Sequence, residues 1–270
     1  MGSFLDFDPN ATGYHGRNAL ALGLAADLAY ETRPKVLDTL DRWGFPQTQW
    51  LDKNGTQGYL AANDHMVLIA FRGTEPHDLR DILTDVNVVL TPGPVGQVHY
   101  GFLRALNGVW EPIEQWLQSV YRDQPIWLCG HSLGAALATL ATARLAFDPA
   151  FDFRLQGLYT FGSPRVGNEV FADRFNQRCR RITFRFRNNN DVVTRVPVPG
   201  IFGWDYRHVG RLCHFDARGR LRFSMSWWEM LLDRLRGHLD DLGKPGTDGM
   251  KDHAMTAYLR CLRQNVNVTP

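Results

Sequence analysis

Between Pro125 and Arg187 the chain alternates short apolar runs with longer stretches of helical spacing, and this alternation limits its possible folds more than any other feature. Pro125 to Cys129 reads as a strand, Leu133 to Phe147 as an Ala- and Leu-rich helix, Leu155 to Phe161 as a strand, Asn168 to Arg178 as a helix and Arg181 to Arg187 as a strand. Strands joined through helices must run parallel, so the expected fold class is α/β, a largely parallel central sheet with helices on both faces.

Flanking segments fit around that sheet. Asn18 to Glu31 repeats apolar residues at helical spacing. Gln47 to Asp52, Gln57 to Ala62 and His65 to Phe71 are short runs separated by Asn54-Gly55 and Asn63-Asp64, the pattern of consecutive strands with tight turns. A long helical pattern covers Phe102 to Tyr121. Downstream, Asp205 to Phe215 and Arg220 to Phe223 suggest a hairpin turning at residues 216–219, followed by helices at about 225 to 242 and 253 to 263. With 44% hydrophobic residues in 270, the chain can bury one sizeable core, and residues 1–270 are expected to form a single domain.

Composition excludes several functions. Thirty basic against twenty-eight acidic residues leave a net charge of +2, too balanced to imply nucleic acid as a partner. The four cysteines have neither CxxC nor metal-ligand spacing, so free, buried thiols are expected and no metal or other cofactor is implied. No run approaches the roughly 18 apolar residues of a membrane-spanning helix. As given, the chain reads as cytoplasmic; it would be secreted if a leader once stood where Met1-Gly2-Ser3 now is. Oligomeric state is not encoded legibly.

Gly130-His131-Ser132-Leu133-Gly134 fits G-x-S-x-G between an apolar strand and a strong helix, the context that makes the pattern a nucleophile elbow. A serine hydroxyl needs a base within hydrogen-bond reach, itself oriented by a carboxylate, and in this fold they follow in the order Ser, Asp or Glu, His. Asp191 directly follows a strand, at the edge where α/β sheets carry functional loops, although a turn or capping aspartate would also suit Asn188-Asn189-Asn190-Asp191. Val192 to Pro197 then reads as extended. Spacing leaves the base open among His208, His214, His238 and His253. His253 has the advantage of opening the last helix after a flexible Gly- and Pro-bearing loop. Leu133, the residue after the nucleophile, is placed to offer a backbone N–H to an oxyanion.

Beyond that single motif, the chain resembles the class 3 lipases over residues 60 to 260. The resemblance rests on Phe71-Arg72-Gly73-Thr74, Asp81-Ile82-Leu83-Thr84-Asp85, Val98-His99-Tyr100-Gly101-Phe102, the Ser132 motif, Tyr159 to Asn168, Asn190-Asp191-Val192-Val193 and Asp252-His253. It implies an α/β-hydrolase in which Asp191 is the triad acid, His253 the base, Thr74 the second oxyanion donor and His208 a structural residue. It implies hydrolysis of a lipid ester, with a lipid–water interface as one expected place of action. A phospholipase or short-chain esterase with the same triad is the nearest alternative; a non-catalytic scaffold would be expected to have lost a triad member. Leu79, Ile82 and Leu83 recur at helical spacing after Thr74, either as a short amphipathic lid or as a fixed helix facing the core. Family members often carry Trp where this chain has Ile82, which implies weak interfacial activation.

Overall fold

The computed structural model describes residues 4–73, 89–198, 205–223 and 248–269. Its main sheet has eight strands in the order β1 (Gln47–Lys53), β2 (Thr56–Ala62), β3 (Val67–Phe71), β6 (Ile126–His131), β7 (Leu155–Phe161), β9 (Thr183–Asn188), β11 (Arg211–Phe215) and β12 (Leu221–Arg222). The five strands from β3 to β11 pair in parallel, and the antiparallel pairs lie at the edges, β1–β2–β3 and β11–β12. The parallel core is the one expected from the alternation, and the whole is the α/β-hydrolase arrangement that the resemblance implies.

Side chains of successive strand residues point to opposite faces, so a strand covered on both sides reads as continuously apolar. β3 shows this. Leu68 and Ala70 join one buried cluster with Trp127, Cys129, Tyr159 and Phe161, while Val67, Ile69 and Phe71 join another with Ile126, Leu128 and Leu158. The first cluster is roofed by α1 (Gly16–Leu28) and α7 (Met255–Gln264), with α2 (Arg33–Arg42) beside it. The second lies under α3 (Tyr100–Val120), α4 (Leu133–Phe147) and α5 (Glu169–Cys179). All four cysteines are free and buried.

A smaller antiparallel sheet, absent from the sequence reading, joins β10 (Tyr206–Arg207), β8 (Gly167–Asn168), β5 (Gln97–His99) and β4 (Leu90–Pro92). Strands of two or three residues carry too few alternations to register as a period. Two local readings are also corrected. Val192 to Pro197 is not extended, because Val193–Arg195 forms a 3-10 turn held by Asp191. His253 closes a short helix, α6 (Asp248–His253), instead of opening the last one, since Ala254 breaks into extended backbone before α7 starts.

Candidate active site

The strand-to-helix turn at Ser132 is as sharp as the motif requires. Ser132 has φ 58° and ψ −127°, a conformation that costs a non-glycine residue about 1–3 kcal/mol and persists only where its surroundings enforce it. Its N–H donates to Phe161 O at 2.9 Å, tying the elbow to β7. Both motif glycines are required by close approach. A Cβ on Gly130 would stand 2.3 Å from Gly134 O, and one on Gly134 would stand 2.2 Å from Phe71 O. The elbow therefore packs directly against β3, with Gly73 pressed so close that a Cβ there would reach 3.0 Å from the Ser132 Cβ. Leu133 opens α4, where N–H groups lack intrahelical acceptors and the helix dipole favours an anion.

Asp191 and His253, 62 residues apart in sequence, meet in the buried interior: His253 Nδ1 lies 3.0 Å from both carboxylate oxygens. Nδ1 must carry the proton to make that bond, which leaves Nε2 as an acceptor with a free lone pair. Asp191 accepts two further bonds, from Val193 N–H at 2.9 Å and from the Tyr258 hydroxyl at 2.5 Å. Gly162 is the floor beneath the pair, since a Cβ there would lie 2.8 Å from the His253 ring and 2.9 Å from Asp191 Oδ2. Ser132 Oγ and His253 Nε2 are both buried, and neither has a hydrogen-bond partner among the described residues. They are not bonded to each other in this structure. Two unsatisfied polar atoms this deep are costly for stability, and such exceptions cluster where chemistry needs them.

The other histidines have other duties. His131 stacks on His253 with ring centroids 4.5 Å apart, donates from Nε2 to His253 O and accepts from the Tyr30 hydroxyl at Nδ1, both at 2.7 Å. Burial, and secondarily the neighbouring His253, push its pKa down to about 3, so it is a neutral wedge that holds the His253 backbone. His208 donates from Nε2 to Thr194 O at 2.8 Å, and burial together with Arg185 and Arg165 depresses its pKa well below the ordinary value. His214, on β11, accepts at Nδ1 from Nε of Arg187 on β9. Arg72 lies half-buried, bonded to Gln57 and stacked over Tyr30. Thr74 and the lid candidates Leu79, Ile82 and Leu83 lie outside the described residues, as does His238.

Sequence reasoning missed the residues that hold the triad candidates in place. Asp252 Oδ2 accepts from Asn189 Nδ2 at 2.9 Å and from Asn190 N–H at 3.1 Å, and its carbonyl accepts from Asn188 Nδ2. The loop bearing Asp191 is thus stapled to the turn bearing His253. The run of three asparagines was the available signal, because such side chains commonly bond neighbouring backbone. Tyr258, one turn into α7, gave no signal of its own.

Residues 68–200 match the profile of the lipase (class 3) family. Over these residues, just under half of its length, the chain is similar to the class 3 lipases. A triacylglycerol lipase of Arabidopsis thaliana is 28% identical over 72% of this chain and 48% of its own length. A chloroplastic phospholipase A(1) of the same plant is 32% identical over 61% of this chain and 42% of its own. The chain thus spans less than half the length of either relative. Among solved structures, lipase II from Rhizopus niveus superposes with a TM-score of 0.58 at 26% identity, covering 75% of this chain and 82% of that one.

Proposed function

We propose that this protein is a class 3 lipase that hydrolyses the carboxylic ester of acylglycerols or related lipid esters through an acyl-enzyme on Ser132. The observation that carries the reading is the buried Asp191–His253 pair, which leaves His253 Nε2 unpartnered in the same interior as the equally unpartnered Ser132 Oγ. In this reading Ser132 Oγ attacks the ester carbonyl while His253 Nε2 takes its proton, and Asp191 stabilises the resulting imidazolium. The oxyanion is met by the Leu133 N–H and, from the sequence resemblance, by Thr74. His253 returns the proton to the departing alcohol, and a water molecule then deacylates Ser132 by the same steps in reverse roles. No cofactor takes part.

The name of the plant relative favours phospholipids as the second reading, with the same triad. Action at a lipid–water interface is proposed from the sequence resemblance. Residues 1–270 are read as one domain, supported by the packing of α1 and α7 on the same face of the sheet. The test is a panel of p-nitrophenyl esters, emulsified triglyceride and phosphatidylcholine, run on wild type and Ser132→Ala. Ester release that vanishes in the variant supports the proposal, and the preferred substrate decides between the two readings. Equal activity in Ser132→Ala would overturn it.

A further inference from the structure

At the end of the sheet opposite Ser132, a cavity of about 620 Å3 is lined by four arginines, Arg178, Arg180, Arg181 and Arg211, together with Asn176 and Gln177. No carboxylate among the described residues lines it, and no ion pair within those residues involves any of the four guanidinium groups. We propose that this pocket binds a phosphate monoester, a ligand separate from the ester cleaved at Ser132.

The fold brings the four together from three elements. Arg178 lies in the last turn of α5, and Arg180 and Arg181 in the 3-10 turn that leads into β9. Arg211 opens β11, which pairs in parallel with β9 so that Arg211 faces Phe184. Asn176 locks the wall by accepting the Gly210 N–H at 2.8 Å, and Gly210 is obligatory there: its φ is +76° and a Cβ would lie 2.4 Å from Thr183 Cγ2. Two guanidinium groups are oriented by stacking, Arg178 over Phe147 and Arg211 over Phe184, each 5.5 Å from the ring centroid. Stacking positions a guanidinium without cancelling its charge.

The ordinary explanation of basic residues at a helix end is the dipole. A helix C-terminus offers only about half a negative charge, so it cannot neutralise four cations. An excess of more than three charges stays on one concave wall. Guanidinium groups match phosphate oxygens in paired, planar hydrogen bonds, and Asn and Gln amides add neutral donors. The groove is open to solvent, so the organic group that carries the phosphate has room beside it. β9, six residues long, separates the arginines from Asn188 and the triad loop by about 20 Å. A ligand here does not touch the reacting ester.

A soluble phosphate monoester and a lipid-borne one present the same group, and two arms separate these sources. Calorimetry with glycerophosphate tests the soluble form, and co-sedimentation with phosphatidylcholine vesicles containing or lacking phosphatidic acid tests the lipid-borne form. Binding in either arm that weakens by about tenfold or more in Arg180→Gln/Arg181→Gln supports the site, each lost charge-assisted contact accounting for roughly that factor. That variant keeps the wild-type Tm and hydrolyses p-nitrophenyl butyrate normally, since both side chains are exposed and remote from Ser132. Binding equal in wild type and variant, or absent from both arms, overturns the proposal.

Discussion

Tyr258→Phe removes a single oxygen, and the structure says what that oxygen does. The hydroxyl donates to Asp191 Oδ2 at 2.5 Å and accepts from Asn188 N–H at 3.0 Å, all within the buried interior. A hydrogen bond to a charged group contributes about 1.5–3 kcal/mol, and an orphaned buried N–H costs about 1–3 kcal/mol. The two losses share one atom and do not simply add, so a destabilisation of about 3 kcal/mol is expected, a fall of roughly 6–12 °C in Tm for a chain of this size. Activity carries a second signature. Reduced control over Asp191 orientation lowers kcat by about tenfold with KM nearly unchanged. Calorimetry and steady-state kinetics on p-nitrophenyl butyrate measure both effects. A variant with wild-type Tm and wild-type kcat would refute the positioning role.

Three further outcomes follow from the geometry. Gly134→Ala forces a Cβ to within 2.2 Å of Phe71 O, so α4 must shift from β3 and carry the elbow with it; esterase activity falls by about 100-fold even where circular dichroism shows a folded chain. His131 is neutral when folded, with its pKa near 3, and titrates near 6.5 when unfolded, so the unfolded state binds the extra proton between those values. Stability is therefore full above about pH 6.5 and declines as pH falls through the window, by about 2 kcal/mol at pH 5; denaturant titrations at pH 7.5 and pH 5 check this, and His131→Asn should flatten the difference. Thr74→Val, chosen from the sequence resemblance, keeps the backbone N–H and removes the hydroxyl, so kcat falls by about ten- to a thousandfold with KM little changed; steady-state kinetics at equal KM and equal kcat would deny the side chain a part.

Much of this is legible in the sequence, because periodicity and turn chemistry are local. β3, β6, β7, α3 and α4 announce themselves through apolar period and glycine punctuation, and the elbow through two glycines that have no room for a Cβ. The base was less legible. Imidazoles at 208, 214, 238 and 253 differ in sequence only by context, and folding assigns two of them elsewhere: His208 to Thr194 O and His214 to Arg187. What stayed hidden depends on long-range contact. The Asp252 staple to Asn189 and Asn190, the Tyr258 hydroxyl and the His131 wedge join residues more than 60 positions from their partners, and no local pattern encodes such a meeting. The small sheet escaped notice for the opposite reason, because its strands are too short to show a period.

Ser132 as the acylated nucleophile is the claim on which the rest depends, and covalent labelling tests it directly. Wild-type protein treated with an organophosphonate ester should gain one adduct by intact mass, mapping to the peptide that contains Ser132. Ser132→Ala should gain none, and His253→Ala should label far more slowly because no base is left to take the serine proton. An adduct on any other residue, or labelling that persists at the wild-type rate in Ser132→Ala, would contradict the account.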